Sequence, residues 1–233
     1  MGKTSVKTIA IDTSLATGAV AAIDGERIAV RSLPTVGEHA RLLAVAIESV
    51  AVELGWRPAA AALVAVVRGP GSFTGLRVGI TTAKALCWAT GSQLLGVSSS
   101  EVIAHGTASV VGRDGSPVTV AYDAGRGEVF ATVVMPDASS PSGWRVEAGR
   151  LAAAHDWLAS MASGSILSGP GLTLLADDLA GRRDLVVAPP SVWMPAITDV
   201  GRIALFRAAA GEADDPTSLV PDYIRPSYAD EKR

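Results

Sequence analysis

Gly69-Pro70-Gly71-Ser72-Phe73-Thr74-Gly75-Leu76-Arg77-Val78-Gly79 decides how the chain is read. The apolar run Ala62–Val67 before it has the length of a buried strand, and residues 68–71 form a loop. Ser72 can cap a helix that runs to about Thr90, with Gly91 after its end. A glycine-rich loop between strand and helix suggests an anion site, because free backbone N–H groups point there. A phosphate loop would need Lys-Ser/Thr after its last glycine, where Leu76-Arg77 stand. The dinucleotide fingerprint would need glycine in place of Thr74. Spacing offers another account. Gly71, Gly75, Gly79 and Ala83 recur every four residues and share one helical face. Glycine in a helix costs about 1 kcal/mol relative to alanine, a cost that close approach of another backbone would offset.

Outward from this stretch, the elements alternate in type. Val6–Ile11 reads as a strand ending in Asp12-Thr13-Ser14. Gly18–Ile23 and Arg27–Leu33 flank Asp24-Gly25, a strong hairpin signal. Gly37–Leu54 reads as a helix stopped by Gly55, and Leu94–Val97 as a strand. Ser98 with Glu101 is a capping box for a helix through about Ala108. A second group comes next: strands Val118–Tyr122 and Glu128–Met135 around the turn 123–127, then an exposed loop at Pro136–Gly143. Leu151–Met161 is expected to be helical, Ser165–Ser168 a strand, Leu172–Leu179 a short helix and Pro195–Ala210 a longer one. The reading is mixed α/β in two parts, 1–104 and 105–233, with the helix 195–210 able to pack back on the first.

Composition limits the function classes. Of 233 residues, 48% are hydrophobic and 18% charged, which excludes a disordered chain. The net charge is −3 and the cations are scattered singly. A chain that grips nucleic acid alone needs a basic track to neutralise phosphates. One cysteine, Cys87, lies in an apolar stretch, which excludes an intrachain disulfide and fits a reducing cytoplasm. Asp12 breaks the first apolar run too early for a signal peptide or membrane span. His39, His105 and His155 have no His, Cys or carboxylate three or four residues on, so no helix presents a metal pair. Ser14, Ser72 and Ser98 read as turn and cap residues, not nucleophiles.

Two features leave alternatives open. Leu42, Leu43, Ala46, Ile47, Val50 and Leu54 form a core stripe, while Val45 and Val52 lie off it beside Arg41 and Glu48. The helix is either central in the monomer or also meets a partner. Asp12 and Asp123 each end a strand before a hairpin. Such paired sites hold phosphates and magnesium in actin-like ATPases, but each is also an ordinary place for Asp and Gly to make a turn, which is the favoured reading of either taken alone.

Ile9-Ala10-Ile11-Asp12-Thr13-Ser14, Glu38-His39-Ala40-Arg41-Leu42-Leu43, Gly69 through Gly79, and Asp123 with Arg126-Gly127-Glu128-Val129-Phe130 resemble the TsaB family, formerly called YeaZ. The ending Pro221-Asp222-Tyr223-Ile224-Arg225 is also similar. The resemblance implies an ASKHA (actin-like ATPase, ribonuclease H-like) α/β fold with two related lobes. It implies a cytoplasmic, non-catalytic subunit that acts with TsaD and TsaE. That complex makes N6-threonylcarbamoyladenosine beside the anticodon of tRNAs reading codons that begin with A. It further implies a heterodimer with TsaD through the first two helices, which would place Arg41, Val45, Glu48, Val52, Gly75, Gly79 and Ala83 at the contact. Asp12 and Asp123 would be degenerate phosphate-loop positions. No catalytic residue, cofactor, metal or membrane is expected, and tRNA is met only through the complex. TsaD-like relatives carry His-x-x-x-His on the first helix, where this chain has His39 but Leu43. Ala40 and Gly125 depart from the family's usual serine and arginine. The competing expectations are an active ASKHA kinase or ATPase and a structural homodimer, and self-association of the isolated chain stays open.

Overall fold

The computed structural model describes residues 5–33, 39–112 and 115–224. The described residues divide into two units: the first holds those up to Ser99 and Ile197–Tyr223, the second those of Ser100–Ala196 and Ile224. The expected boundary near 105 therefore shifts to 99, and 197–223 belongs to the first unit.

In the first unit β1 (Thr8–Asp12), β2 (Gly18–Asp24) and β3 (Arg27–Leu33) form an antiparallel meander. β4 (Leu63–Gly69) then pairs parallel to β1, and β5 (Gln93–Ser98) parallel to β4. The order is β3-β2-β1-β4-β5. α1 (His39–Glu53) packs on β2 and β3, while α2 (Phe73–Thr90) packs on β4, β1 and β5 and also meets α1. Alternation along the strands divides the faces. Ile9, Ile11, Val64 and Val66 join the core beneath the two helices. Ala10 lies on the opposite face, covered by α6 (Ile197–Ala209), whose Gly201 comes so close that a Cβ there would collide with Ile23. The helix begins two residues after Pro195, where the sequence suggests a start.

The caps of α2 obey the local chemistry. The Gly75 N–H donates to Ser72 Oγ at 3.3 Å, and Gly91 closes the helix in the left-handed conformation with its N–H on the Cys87 carbonyl.

α3 (Ser99–Val111), which lies in the second unit apart from its first residue, extends past the expected Ala108. β6 (Val118–Gly125) and β7 (Glu128–Pro136) form a hairpin. Arg126 and Gly127 sit at its tip with φ 59° and 75°, the mirror-image turn that matches strand twist. β8 (Trp144–Val146) and β9 (Arg150–Ala153) both pair with β7. The helix expected from Leu151 therefore starts only at α4 (Ala154–Ala159). Residues 151–153 are held extended because they satisfy the outer backbone groups of β7. β10 (Ile166–Ser168) pairs parallel to β6. A 3₁₀ turn at Pro170–Leu175 and α5 (Ala176–Gly181) replace the single helix expected at Leu172–Leu179. β11 (Val186–Val187) adds parallel to β10. The order β11-β10-β6-β7-β8 repeats the first sheet's topology strand for strand, with β9 as a further partner of β7. Trp157, Leu158, Leu167, Leu172 and Leu175 fill the core of this unit.

Candidate functional site

Two exits from the first sheet meet at Thr13. The Asp12 carboxylate, 4% exposed, accepts the Ser14 N–H at 2.8 Å and fixes the turn after β1. The Ser72 N–H donates to the Ser14 carbonyl at 2.6 Å. The Thr13 hydroxyl donates to the Gly75 carbonyl at 2.7 Å. A Cβ on Gly71 would collide with the Ser14 carbonyl oxygen, on Gly75 with that of Thr13, and on Gly79 with Thr13 Oγ1. The glycine face of α2 thus lies against the turn after β1 in its own unit.

This corrects the expected contact set. Gly75, Gly79 and Ala83 are buried, so they lie on the inner face of α2 and present nothing outward. The close backbone approach that their spacing calls for is intramolecular. The outward face of α2 carries Arg77, Thr81, Ala85 and Trp88, all exposed, at offsets of four, eight and eleven residues that place them together. Trp88 is 69% exposed. On α1 the expected residues do point outward. Arg41 and Glu48 are exposed, and Val45 and Val52 are 65% and 57% exposed. Leu43 is buried in the core. Glu38, Arg225 and the side chain of His39 lie outside the described residues.

Sequence spacing alone does not single out Trp88, although a signal exists. Once the four-residue glycine spacing defines the inner face, a tryptophan at 88 falls on the opposite one. Two neighbouring helices therefore present Val45, Val52 and Trp88 among charged residues, a composition that suits protein contact.

In the second unit Asp123 repeats the Asp12 device. Its carboxylate accepts the Gly125 N–H at 2.7 Å, but the residue is exposed. Among the described residues no cluster of three or more His, Cys, Asp or Glu side chains could hold a metal ion. No described helix is long and apolar enough to cross a membrane. Burial pushes the Cys87 thiol up to about 11, which leaves it a poor nucleophile. Arg27 donates to the Leu54 carbonyl, Arg31 pairs with Glu53, and Arg145 pairs with Glu147 and Asp137.

The chain is 25% identical to the Bacillus subtilis tRNA threonylcarbamoyladenosine biosynthesis protein TsaB over 96% of both chains. It is 29% identical to the Escherichia coli protein of that name over 70% of each. Both relatives carry the name TsaB, and the match to the first runs over nearly the whole chain. A family model described as TsaD, tRNA N6-adenosine threonylcarbamoyltransferase, matches residues 34–136, which include both α1 and α2. Among solved structures, YeaZ from Pseudomonas aeruginosa aligns with a TM-score of 0.76 at 23% identity, covering 93% of this chain and 99% of that one. A second is described as "an uncharacterized protein with similarity to peptidase YEAZ from Pseudomonas aeruginosa". It aligns at 0.74 and 24% identity, over 94% and 99%. The duplicated sheet order of this chain fits the ASKHA-type fold.

Proposed function

We propose that this chain is a non-catalytic subunit in the formation of N6-threonylcarbamoyladenosine on tRNA, and that the outer faces of α1 and α2 bind TsaD. The observation that carries the role is the end-to-end match to a protein named for that biosynthesis. The helix pair supports the interface. Val45, Val52 and Trp88 expose apolar surface, and buried aromatic anchors supply most of the energy of such contacts. Arg41 and Glu48 frame the α1 stripe and would set register. TsaE joins the pair in this reading, and tRNA is met through the complex. An acidic chain whose Arg31 and Arg145 are already paired with carboxylates has little to offer phosphates.

The chain itself needs no reaction chemistry for this role. Its glycine loop packs against the turn after β1, and Asp12 is turned into that turn, an arrangement that favours a scaffold over a kinase or ATPase. A purified chain that hydrolyses ATP in an Asp12-dependent way would overturn this part.

The interface is tested by titrating TsaD with the wild-type chain and with Val45→Glu and Val52→Glu. Both positions are exposed, so the variants should melt like wild type. Each should weaken binding by about tenfold or more, or about 1.4 kcal/mol. Unchanged affinity in both would remove α1 from the contact. Depletion of the gene should remove the modified nucleoside from cellular tRNA, and its persistence at normal levels would overturn the role.

A further inference from the structure

After α6 the chain does not simply end. Residues 212–223 cross the open edge of β5, pass the exit of β4 and stop against the first turn of α2. Glu212 pairs with Arg207 at 2.7 Å. Asp214 bridges to Leu94 and accepts the Gly96 N–H at 2.8 Å, which continues the sheet by one short antiparallel contact. Leu219 is buried beside Gly96. The Asp222 N–H donates to the Arg68 carbonyl at 2.7 Å, and its carboxylate pairs with the Arg68 guanidinium at 3.0 Å. Gly69 permits this approach, since a Cβ there would collide with the Asp222 carbonyl. Tyr223 stacks on Phe73 with ring centroids 4.6 Å apart, and its hydroxyl accepts from Arg77 Nε at 2.8 Å. The Arg77 guanidinium lies 4.0 Å from the Phe73 ring centre, a cation–π contact.

The first turn of α2 is therefore held from two sides. Thr13 holds the inner side through Gly75, and the chain's last described residues hold the outer side. Arg77 belongs both to this cluster and to the outward stripe that includes Trp88.

We propose that residues 212–223 act as a clasp that positions α2, with Tyr223 as the positioning residue, so that release of the clasp weakens the grip of the helix pair on its partner. The coupling rests on the reading that the outer face of α2 meets TsaD. The clasp itself rests on the contacts above. A helix whose first turn frays holds its outward side chains in more than one arrangement, and fixing them on binding then costs entropy.

The test compares Tyr223→Ala with Tyr223→Phe in the full chain. The first removes the ring, while the second keeps the stack and loses only the hydroxyl bond to Arg77. Native-state hydrogen exchange at Leu76–Gly79 reads the clasp without any partner, and titration with TsaD reads the coupling. Tyr223→Ala should speed exchange there by about tenfold and weaken TsaD binding about fivefold, with Tyr223→Phe closer to wild type in both. Unchanged exchange in Tyr223→Ala would overturn the clasp. Faster exchange with unchanged affinity would overturn the coupling. A wild-type chain that does not bind TsaD would instead overturn the partner reading and the coupling with it, while the exchange result still decides the clasp.

Discussion

The fourth strand of each sheet leaves through the same three residue types, Gly69-Pro70-Gly71 from the last residue of β4 and Gly169-Pro170-Gly171 after β10. In both units these glycines let the exit close over the end of the first strand. Gly71 approaches Ser14, Gly169 approaches Ala121, and Gly171 approaches Tyr122 and Asp123. In both units an aspartate at that strand end accepts the N–H two residues on. Beyond these exits the two units diverge. The first unit continues into an α-helix of 18 residues with two more glycines on its inner face. The second turns into a short 3₁₀ segment and a six-residue helix. The shared part is packing chemistry, so a glycine-rich exit and an acidic strand end are not in themselves signs of nucleotide. The unshared part, the long helix, makes the outward surface.

The largest effect expected from this comparison is on stability. Gly75→Ala drives a Cβ into the Thr13 carbonyl, where neither backbone can yield, and should cost about 3 kcal/mol net of about 1 kcal/mol gained in helix propensity. In the second unit an added Cβ on Gly171 would stand 2.6 Å from the Tyr122 carbonyl carbon, and Gly171→Ala should cost about 2 kcal/mol. Denaturant unfolding of both variants measures this. If Gly75→Ala is as stable as wild type, the close approach does not govern the α2 position.

The difference between the units appears next in binding. Trp88 has no aromatic counterpart after the second Gly-Pro-Gly, where Leu172 and Leu175 are both buried and the smaller Leu174 is 43% exposed. Trp88→Ala should leave the melting temperature unchanged and cost about 2 kcal/mol of TsaD affinity, read by calorimetric titration. Full retention of affinity would place the contact elsewhere.

How much of this is legible before folding depends on the range of the interactions. Ser72, Gly91 and Asp24-Gly25 act on their own neighbours, and the α2 caps and the β2–β3 hairpin stand where those residues put them. Residues 151–153 fail that test because a neighbouring strand, not their own pattern, makes them extended. The glycine spacing in α2 correctly calls for a close backbone, yet spacing is silent on whose backbone it is. Thr13 lies 62 residues from Gly75, and nothing local separates it from a partner chain. Val45 and Val52 are readable because they break the apolar stripe of α1, whereas Trp88 requires knowing which face of α2 turns in. The repeated Gly-Pro-Gly is present in the letters, but its meaning depends on the two sheets sharing one strand order.

The two aspartates sharpen the comparison at a smaller scale. Both make the same turn bond, but Asp12 is buried where Asp123 is exposed. Asp12→Ala leaves the Ser14 N–H without its acceptor in a buried site and should cost about 1.5 kcal/mol. Asp123→Ala frees an exposed N–H that water can satisfy and should cost less than about 0.5 kcal/mol. Equal losses would show that the turn bond, not its burial, sets the energy.

The smallest effect concerns Cys87, the chain's single cysteine, which sits on the buried side of α2. Burial raises its thiol from 9.0 to about 11, since the thiolate would lose its hydration there. Folding therefore favours the neutral thiol, so its contribution is complete below pH 9 and is lost as pH rises through about 11. At pH 8 the folded chain should react with iodoacetamide only as fast as the first unit opens. Because the second unit has no thiol, labelling reports on one side of the comparison alone. Gly75→Ala should speed labelling in proportion to the stability it removes, and Gly171→Ala should do so far less. Rapid labelling of the wild-type chain at pH 8 would mean that α2 does not seal its inner face. Equal acceleration by both variants would mean that the two units open as one.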